Sequence, residues 1–248
     1  GRAAREERQE RTGLERALES IGGFHNAPPV AAARPPGPLL PQATRVLLAN
    51  GHCTLPTLPP GLSVLAPSGA ASPGFELDGD GRLALLARAH APDPLVLRVE
   101  GQHALELCFL APEGASAAYA DIELELAPGA SLLYVERQLG GGAGSMACTR
   151  LKASIGEGAR LEQLRLQSLA EGTLHFDTTM ASAGRAATYE LTQVCAGAAH
   201  ARNSIEIRLS GDQAATRVHA AAATVGEQST DLLLRVRHEA AVWPTWLH

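Results

Sequence analysis

The chain has 248 residues, enough for one large domain or a β domain with a smaller N-terminal part. Hydrophobic residues make up 45%, so a core can form, and the aromatic share of 4% suits thin stacked layers of Leu, Val, Ile and Ala rather than a groove that stacks sugars or bases. The net charge is −5 with both signs mixed along the chain, which argues against a nucleic-acid footprint or a polybasic membrane patch.

The first residues, Gly1 to Glu7, are charged and lack the apolar core of a signal peptide. No apolar run approaches the ~20 residues of a membrane span. Arg2 to Ile21 predicts a helix, with Leu14, Leu18 and Ile21 on one stripe and Gly22-Gly23 as a stop. It is either a solvated helix or a partner contact. Phe24 to Gln42 carries six prolines, which remove donors and fix φ, so an extended linker is expected. Residues 1–43 therefore form an N-terminal helix and Pro-rich linker.

Residues 44–118 hold strands leading into a solenoid. Arg45 to Ala49 reads as a strand and Asn50-Gly51 as a tight turn. Phe75 to His90 has room for a short helix with Leu83, Leu86 and Ala87 on one face. Leu95–Val99 and Ala104–Leu110 are two more strands, split at Gly101.

From Tyr119 to His238, period-2 alternation dominates. In Asp121 to Leu126 the apolar residues take one face and the acids the other. Arg150–Ile155, Ser204–Leu209 and Asp231–Val236 repeat the pattern. Small-residue turns follow most of these strands, and their alanines at 130, 159, 186 and 214 are spaced by 29, 27 and 28 residues. A fixed period in this range marks a repeat whose units bury their apolar faces only when stacked. The expected fold is mainly β, a parallel β-helix spanning 119–238. An antiparallel β-sandwich built from the same strands is the alternative.

Cys53, Cys108, Cys148 and Cys195 are widely spaced with no CxxC pair, and four reduced thiols in a cytoplasmic protein are expected. Gly140 to Gly144 lacks the Gly-Lys-Ser/Thr ending of a phosphate loop, so an inter-coil loop is the plainer reading. His52 and Cys53 are soft ligands beside a turn, but two residues are too few for a metal site. His175 and Asp177 share one strand face, as an acid–base pair or, more simply, a surface hydrogen bond. Neither G-x-S-x-G nor HExxH is present.

Four segments in order are familiar together: TRVLLANGHCTLPTLPP from Thr44, LKASIGEGARLEQLRLQ from Leu151, RNSIEIRLSGDQA from Arg202 and DLLLRVRH from Asp231. The set resembles the SufB/SufD family of iron–sulfur cluster assembly proteins, the upstream segment being more similar to the SufD branch. The resemblance implies a right-handed parallel β-helix. It also implies a complex with a SufB-like paralogue and a SufC-like ATPase, in which an iron–sulfur cluster is handled transiently. Because thiolate and imidazole bind iron, Cys195, His200, His219 and His238 become candidate ligands, with coil packing as the bland alternative. Asp231 and His238 match family positions without an assigned role.

Residues 239–248 depart from the family, as a C-terminally truncated member, a frameshifted gene or a degenerate paralogue would. An open coil edge is then expected, to pair with a second chain, a homodimer included. The leading expectation is a non-catalytic assembly subunit. A β-helix polysaccharide lyase or hydrolase is disfavoured by the scarcity of aromatics, and a self-assembling structural solenoid is the third reading.

Overall fold

The computed structural model describes residues 25–30, 35–67 and 81–239. The helix expected over Arg2–Ile21 and the tail from residue 240 lie outside the described residues. The elements are β1 (Thr44–Ala49), β2 (His52–Thr54), β3 (Leu62–Leu65), helix α1 (Gly81–His90), β4 (Leu95–Val99), β5 (Gln102–Ala111), β6 (Ala117–Leu126), β7 (Ser131–Gly140), β8 (Met146–Ile155), β9 (Arg160–Leu169), β10 (Leu174–Ala183), β11 (Thr188–Gly197), β12 (His200–Leu209), β13 (Ala215–Ala223) and β14 (Ser229–His238).

Two seven-stranded sheets face each other. One runs β14-β12-β10-β8-β6-β4-β3 and the other β13-β11-β9-β7-β5-β1-β2. Successive coils contribute one strand to each sheet, so neighbours in a sheet are parallel. Pairs such as Ser131↔Arg160 and Arg160↔Thr188 set a step of one coil. The fold is a β-solenoid, and the parallel ladders exclude the antiparallel sandwich. Parallel pairing reaches upstream of the repeat: β1 lies beside β5 from Thr44↔Leu105 to Ala49↔Leu110. Among the described residues, antiparallel strands occur only at that N-terminal end, where β2 pairs β1 and β3 pairs β4. They turn the first coil's edges back on themselves and blunt them against further pairing.

The repeating turn explains the spacing of the small residues. The N–H groups of Ala130, Ala159, Ala187 and Ala214 donate to the carbonyls three residues back, at 3.0, 3.0, 3.1 and 3.2 Å. The third alanine of the series is thus Ala187, not Ala186, and the steps become 29, 28 and 27 residues. Ala186 instead occupies the left-handed position, with φ of 54°, equivalent to Gly129, Gly158 and Gln213. Glycine accepts that conformation without steric cost, so Pro128-Gly129 and Glu157-Gly158 are the unstrained versions.

Inward-facing residues alternate along each strand, and they are not uniform from coil to coil. Leu105, Leu107 and Phe109 on β5 face Ala118, Ala120, Ile122 and Leu124 on β6, all at most 2% exposed. Each fully buried leucine contributes about 1.5–3 kcal/mol. The outward face of β6, β8 and β10 is covered by α1: Leu83 and Ala87 pack on Ala117, Tyr119, Met146, Cys148 and Phe176. The acids of β6 are not solvated either. Asp121 and Glu123 both pair with Arg150 on β8, and all three are under 10% exposed.

The described parts of the Pro-rich segment are fastened to the solenoid, and its end turns at Leu40 to Ala43, where the Ala43 N–H donates to the Leu40 carbonyl at 3.0 Å. Asn26 bridges to Ala117, Asn50 Nδ2 donates to the Pro28 carbonyl at 2.9 Å, and Arg137 Nη1 donates to the Gly37 carbonyl at 2.7 Å. At the other end, Leu232, Leu233, Leu234 and Val236 of β14 are 38–45% exposed.

Candidate functional site

Three successive coils carry polar side chains where the pleat directs them inward. On β7 these are Tyr134, Glu136 and Gln138; on β9 Gln163, Arg165 and Gln167; on β11 Gln193 and Cys195. The facing sheet adds Thr149 from β8, His175, Asp177 and Thr179 from β10, and Asn203 from β12. Each of these is no more than 2% exposed.

Arg165 organises the group. Its Nε and Nη2 donate to Glu136 Oε2 at 3.1 and 3.0 Å, its Nη1 to Asp177 Oδ1 at 2.6 Å, and its Nη2 to Thr179 Oγ1 at 2.8 Å. Gln163 Nε2 donates to Glu136 Oε2 at 3.0 Å, and Tyr189 OH donates to Gln163 Oε1 at 2.7 Å. Gln138 Nε2 reaches both carboxylates, Glu136 Oε1 at 2.7 Å and Asp177 Oδ2 at 3.3 Å. Two carboxylates against one guanidinium leave the interior rich in negative charge. Burial accordingly raises the Glu136 carboxyl above its usual range, opposed by Arg165. Burial alone would lower the Arg165 pKa, but Asp177 and Glu136 raise it on balance, so the guanidinium stays charged.

Around this ion pair lie polar atoms with no protein hydrogen-bond partner. They include both ring nitrogens of His175, both amide atoms of Gln167 and Asn203, Gln138 Oε1 and Tyr134 OH. Burial pushes the His175 ring down to about 4, so it is neutral near neutral pH. Cys195 accepts from Gln193 Nε2 at 3.0 Å, and burial pushes its thiol pKa up. The cluster therefore presents a neutral thiol and a neutral imidazole beside a saturated ion pair, closed to solvent.

The residues singled out from sequence are placed differently from one another. Cys195 faces inward on β11. His219 is exposed on β13 and stands opposite Thr192, which points outward. His200 is on the other sheet, with Nδ1 2.7 Å from Ser229 Oγ and Nε2 3.9 Å from Asp231 Oδ2. His238 pairs with Leu209 at the far end of that same sheet's strands from His200. The four are not brought together, and among the described residues no three His, Cys, Asp or Glu side chains cluster as metal ligands.

His175 and Asp177 do share a face, but it is the interior face. The expected surface hydrogen bond is absent: Asp177 is bonded to Arg165, Thr149, Gln138 and Thr179, and His175 has no partner. Gly140 to Gly144 connects β7 to strand β8, as an inter-coil loop does. Its Gly141, at φ of 84°, leaves no room for a side chain beside Thr173. His52 and Cys53 share Asp93, which lies 3.5 Å from His52 Nδ1 and accepts from the Cys53 N–H at 2.9 Å. Burial, with help from Asp93, raises the Cys53 thiol to about 11. All four cysteines are free. Among the described residues no helix is long and apolar enough to cross a membrane.

Residues 109–242 match the SUF system FeS cluster assembly SufBD core domain, a span of more than half the chain. The chain belongs to the SufBD family. Its role accordingly lies in iron–sulfur cluster assembly. No curated protein matches the chain. The SufBD match starts within β5 and extends past β14, so it contains the whole polar interior and omits β1 to β4.

Proposed function

We propose that the chain is a SufD-like, non-catalytic subunit of a cytoplasmic iron–sulfur assembly scaffold. It works with a SufB-like paralogue and draws its energy input from a SufC-like ATPase. The observation that carries this reading is the last described coil. β14 offers Leu232, Leu234 and Val236 on the face that the pleat turns inward, yet leaves them 45%, 43% and 38% exposed. Such a row is stabilised by strands that continue the stack, and a second chain, the paralogue or another copy of this one, is the proposed source of them. Cargo handling then falls to the polar interior next to that coil, with Cys195 as its thiol. An iron–sulfur cluster or its components are substrates there, held transiently.

Co-expression with SufB-like and SufC-like partners tests the reading. A stable three-component complex by size exclusion with light scattering is expected. A chain that stays monomeric at high concentration and captures neither partner would overturn it. In the reconstituted complex, substituting Cys195 is expected to lower cluster yield, and unchanged yield would remove the thiol from the scheme.

A further inference from the structure

The last described coil exposes an apolar row, and an apolar segment follows it in the chain. Leu232, Leu234 and Val236 of β14 are 45%, 43% and 38% exposed on the inward face, and the inward Ala220 and Ala222 of β13 are exposed as well. Residues 240–248, outside the described residues, read Ala-Ala-Val-Trp-Pro-Thr-Trp-Leu-His, with no Asp, Glu, Lys or Arg. Both tryptophans of the chain, Trp243 and Trp246, fall in this segment.

The point where the segment leaves the solenoid is fixed. The Glu239 N–H donates to the Leu209 carbonyl at 2.9 Å, and Arg208 Nη1 lies 3.5 Å from Glu239 Oε1. Val236 and Leu234 lie just upstream on β14, and a segment of this length reaches at most about 30 Å, close to the length of that strand. The outer face at this corner is a poor seat. It carries Arg208, Arg237 and Glu206, with Glu206 3.1 and 3.7 Å from the two guanidinium groups, and the segment brings no charged side chain to them. A further regular rung is also blocked. The N–H groups of Arg160, Thr188 and Ala215, which open β9, β11 and β13, donate to the alanine carbonyl one coil back at 2.8, 2.9 and 2.9 Å. A turn as long as the one from Leu209 to Ala215 brings Pro244 to that position, and proline has no N–H. What the segment offers is side chains, two indoles above all, which bury on the order of 150–250 Å² each.

We propose that residues 240–248 fold back over the open coil of their own chain, with Trp243, Trp246 and Leu247 covering Leu234 and Val236. A tethered occupant needs no second molecule, and closing so short a loop costs little entropy. The consequence rests on the proposed partner reading, because the partner uses the same surface: tail and partner exclude each other. A partner's apparent affinity falls with the fraction of chains left open, so a coil covered about nine-tenths of the time binds about tenfold more weakly.

Tryptophan fluorescence of the full chain is the test, since no tryptophan lies elsewhere. Emission is expected to be blue-shifted, with acrylamide quenching several-fold below that of the same chain in urea. Leu234→Lys with Val236→Lys is expected to move both values most of the way to those in urea, with the melting temperature within a few degrees of wild type. Emission and quenching already like those in urea for the wild type would overturn the proposal. Protection that survives the double substitution places the segment elsewhere, and protection lost on dilution places it in a second copy; either outcome also overturns it. Ending the chain at Glu239 is expected to tighten association through that coil about tenfold in light scattering against concentration, and unchanged association refutes the competition. The seat of the tail is read without any partner, so failure to capture a SufB-like chain counts against the partner and not against the seat.

Discussion

His175 offers the sharpest check on the polar interior, because its two ring nitrogens are buried without partners. Burial holds the folded pKa at about 4 against an ordinary 6.5, with Arg165 lowering it further and Asp177 opposing. The unfolded chain thus binds a proton first as pH falls. Stability from this residue is full above 6.5, drains away between 6.5 and about 4, and falls no further below that. The difference corresponds to about 3 kcal/mol at a fully buried site. Glu136 acts with the opposite sign: its raised pKa lets the folded state take up a proton first, which offsets part of the acid loss. Comparing wild type with His175→Leu cancels that shared contribution. Urea unfolding at steps from pH 7 to pH 4 should show the wild type losing about 3 kcal/mol relative to the variant. At pH 7 the variant should be no less stable, since each unsatisfied buried group costs about 1–3 kcal/mol. Parallel stability curves, or a variant several kcal/mol weaker at pH 7, would refute the reasoning.

Arg165→Met leaves Glu136 and Asp177 buried without their cation and should cost about 3–5 kcal/mol in urea unfolding. Replacing all three at once (Arg165→Met, Glu136→Gln, Asp177→Leu) should recover most of that loss. Gly197→Ala should prevent the short β11–β12 connection from closing, because the new methyl would sit 1.8 Å from the Leu169 carbonyl oxygen. Gly158→Ala, at φ of 63° with open space around it, should cost only about 1 kcal/mol by thermal unfolding. Leu232→Lys with Leu234→Lys should abolish pairing through the terminal coil in light scattering while leaving the melting temperature within a few degrees.

The solenoid was legible because its turns are. Gly- and Ala-rich connections recur at nearly constant spacing, and the apolar alternation in Asp121–Leu126 and Ser204–Leu209 tracks the inward face. The interior cluster was not, for a reason visible in β9 and β10. In Arg160–Leu169 the leucines change parity: Leu161 points inward, but Leu164 and Leu166 point outward, and the inward places go to Gln163, Arg165 and Gln167. In Leu174–Ala183 the large apolar residues Phe176 and Met180 lie on the outer face, with Phe176 under α1, while His175, Asp177 and Thr179 take the core. A rule that sends apolar residues inward therefore inverts these strands. The usable signal was three consecutive coils with polar residues at matching register, Gln138↔Gln167↔Cys195.

That register also bears on why the polar interior exists. An interior of leucine and alanine is available to this fold, since β5 and β6 have one. Replacing a buried ion pair by apolar residues is often neutral or stabilising, so β7 to β12 carry a cost that the preceding coil avoids. The polar residues start at β7 and β8, two parallel layers in from the antiparallel N-terminal edge, and stop at Asn203 and Cys195, one coil before exposed β14. Packing requirements are the same along a solenoid, and they do not explain a change of interior at that point. The SufBD core match covers the polar coils and the exposed one, and leaves out the antiparallel strands that close the other end. Cys195 is already sealed with β14 uncovered, so the polar interior and the exposed coil are neighbouring features of the matched region, each with its own cost.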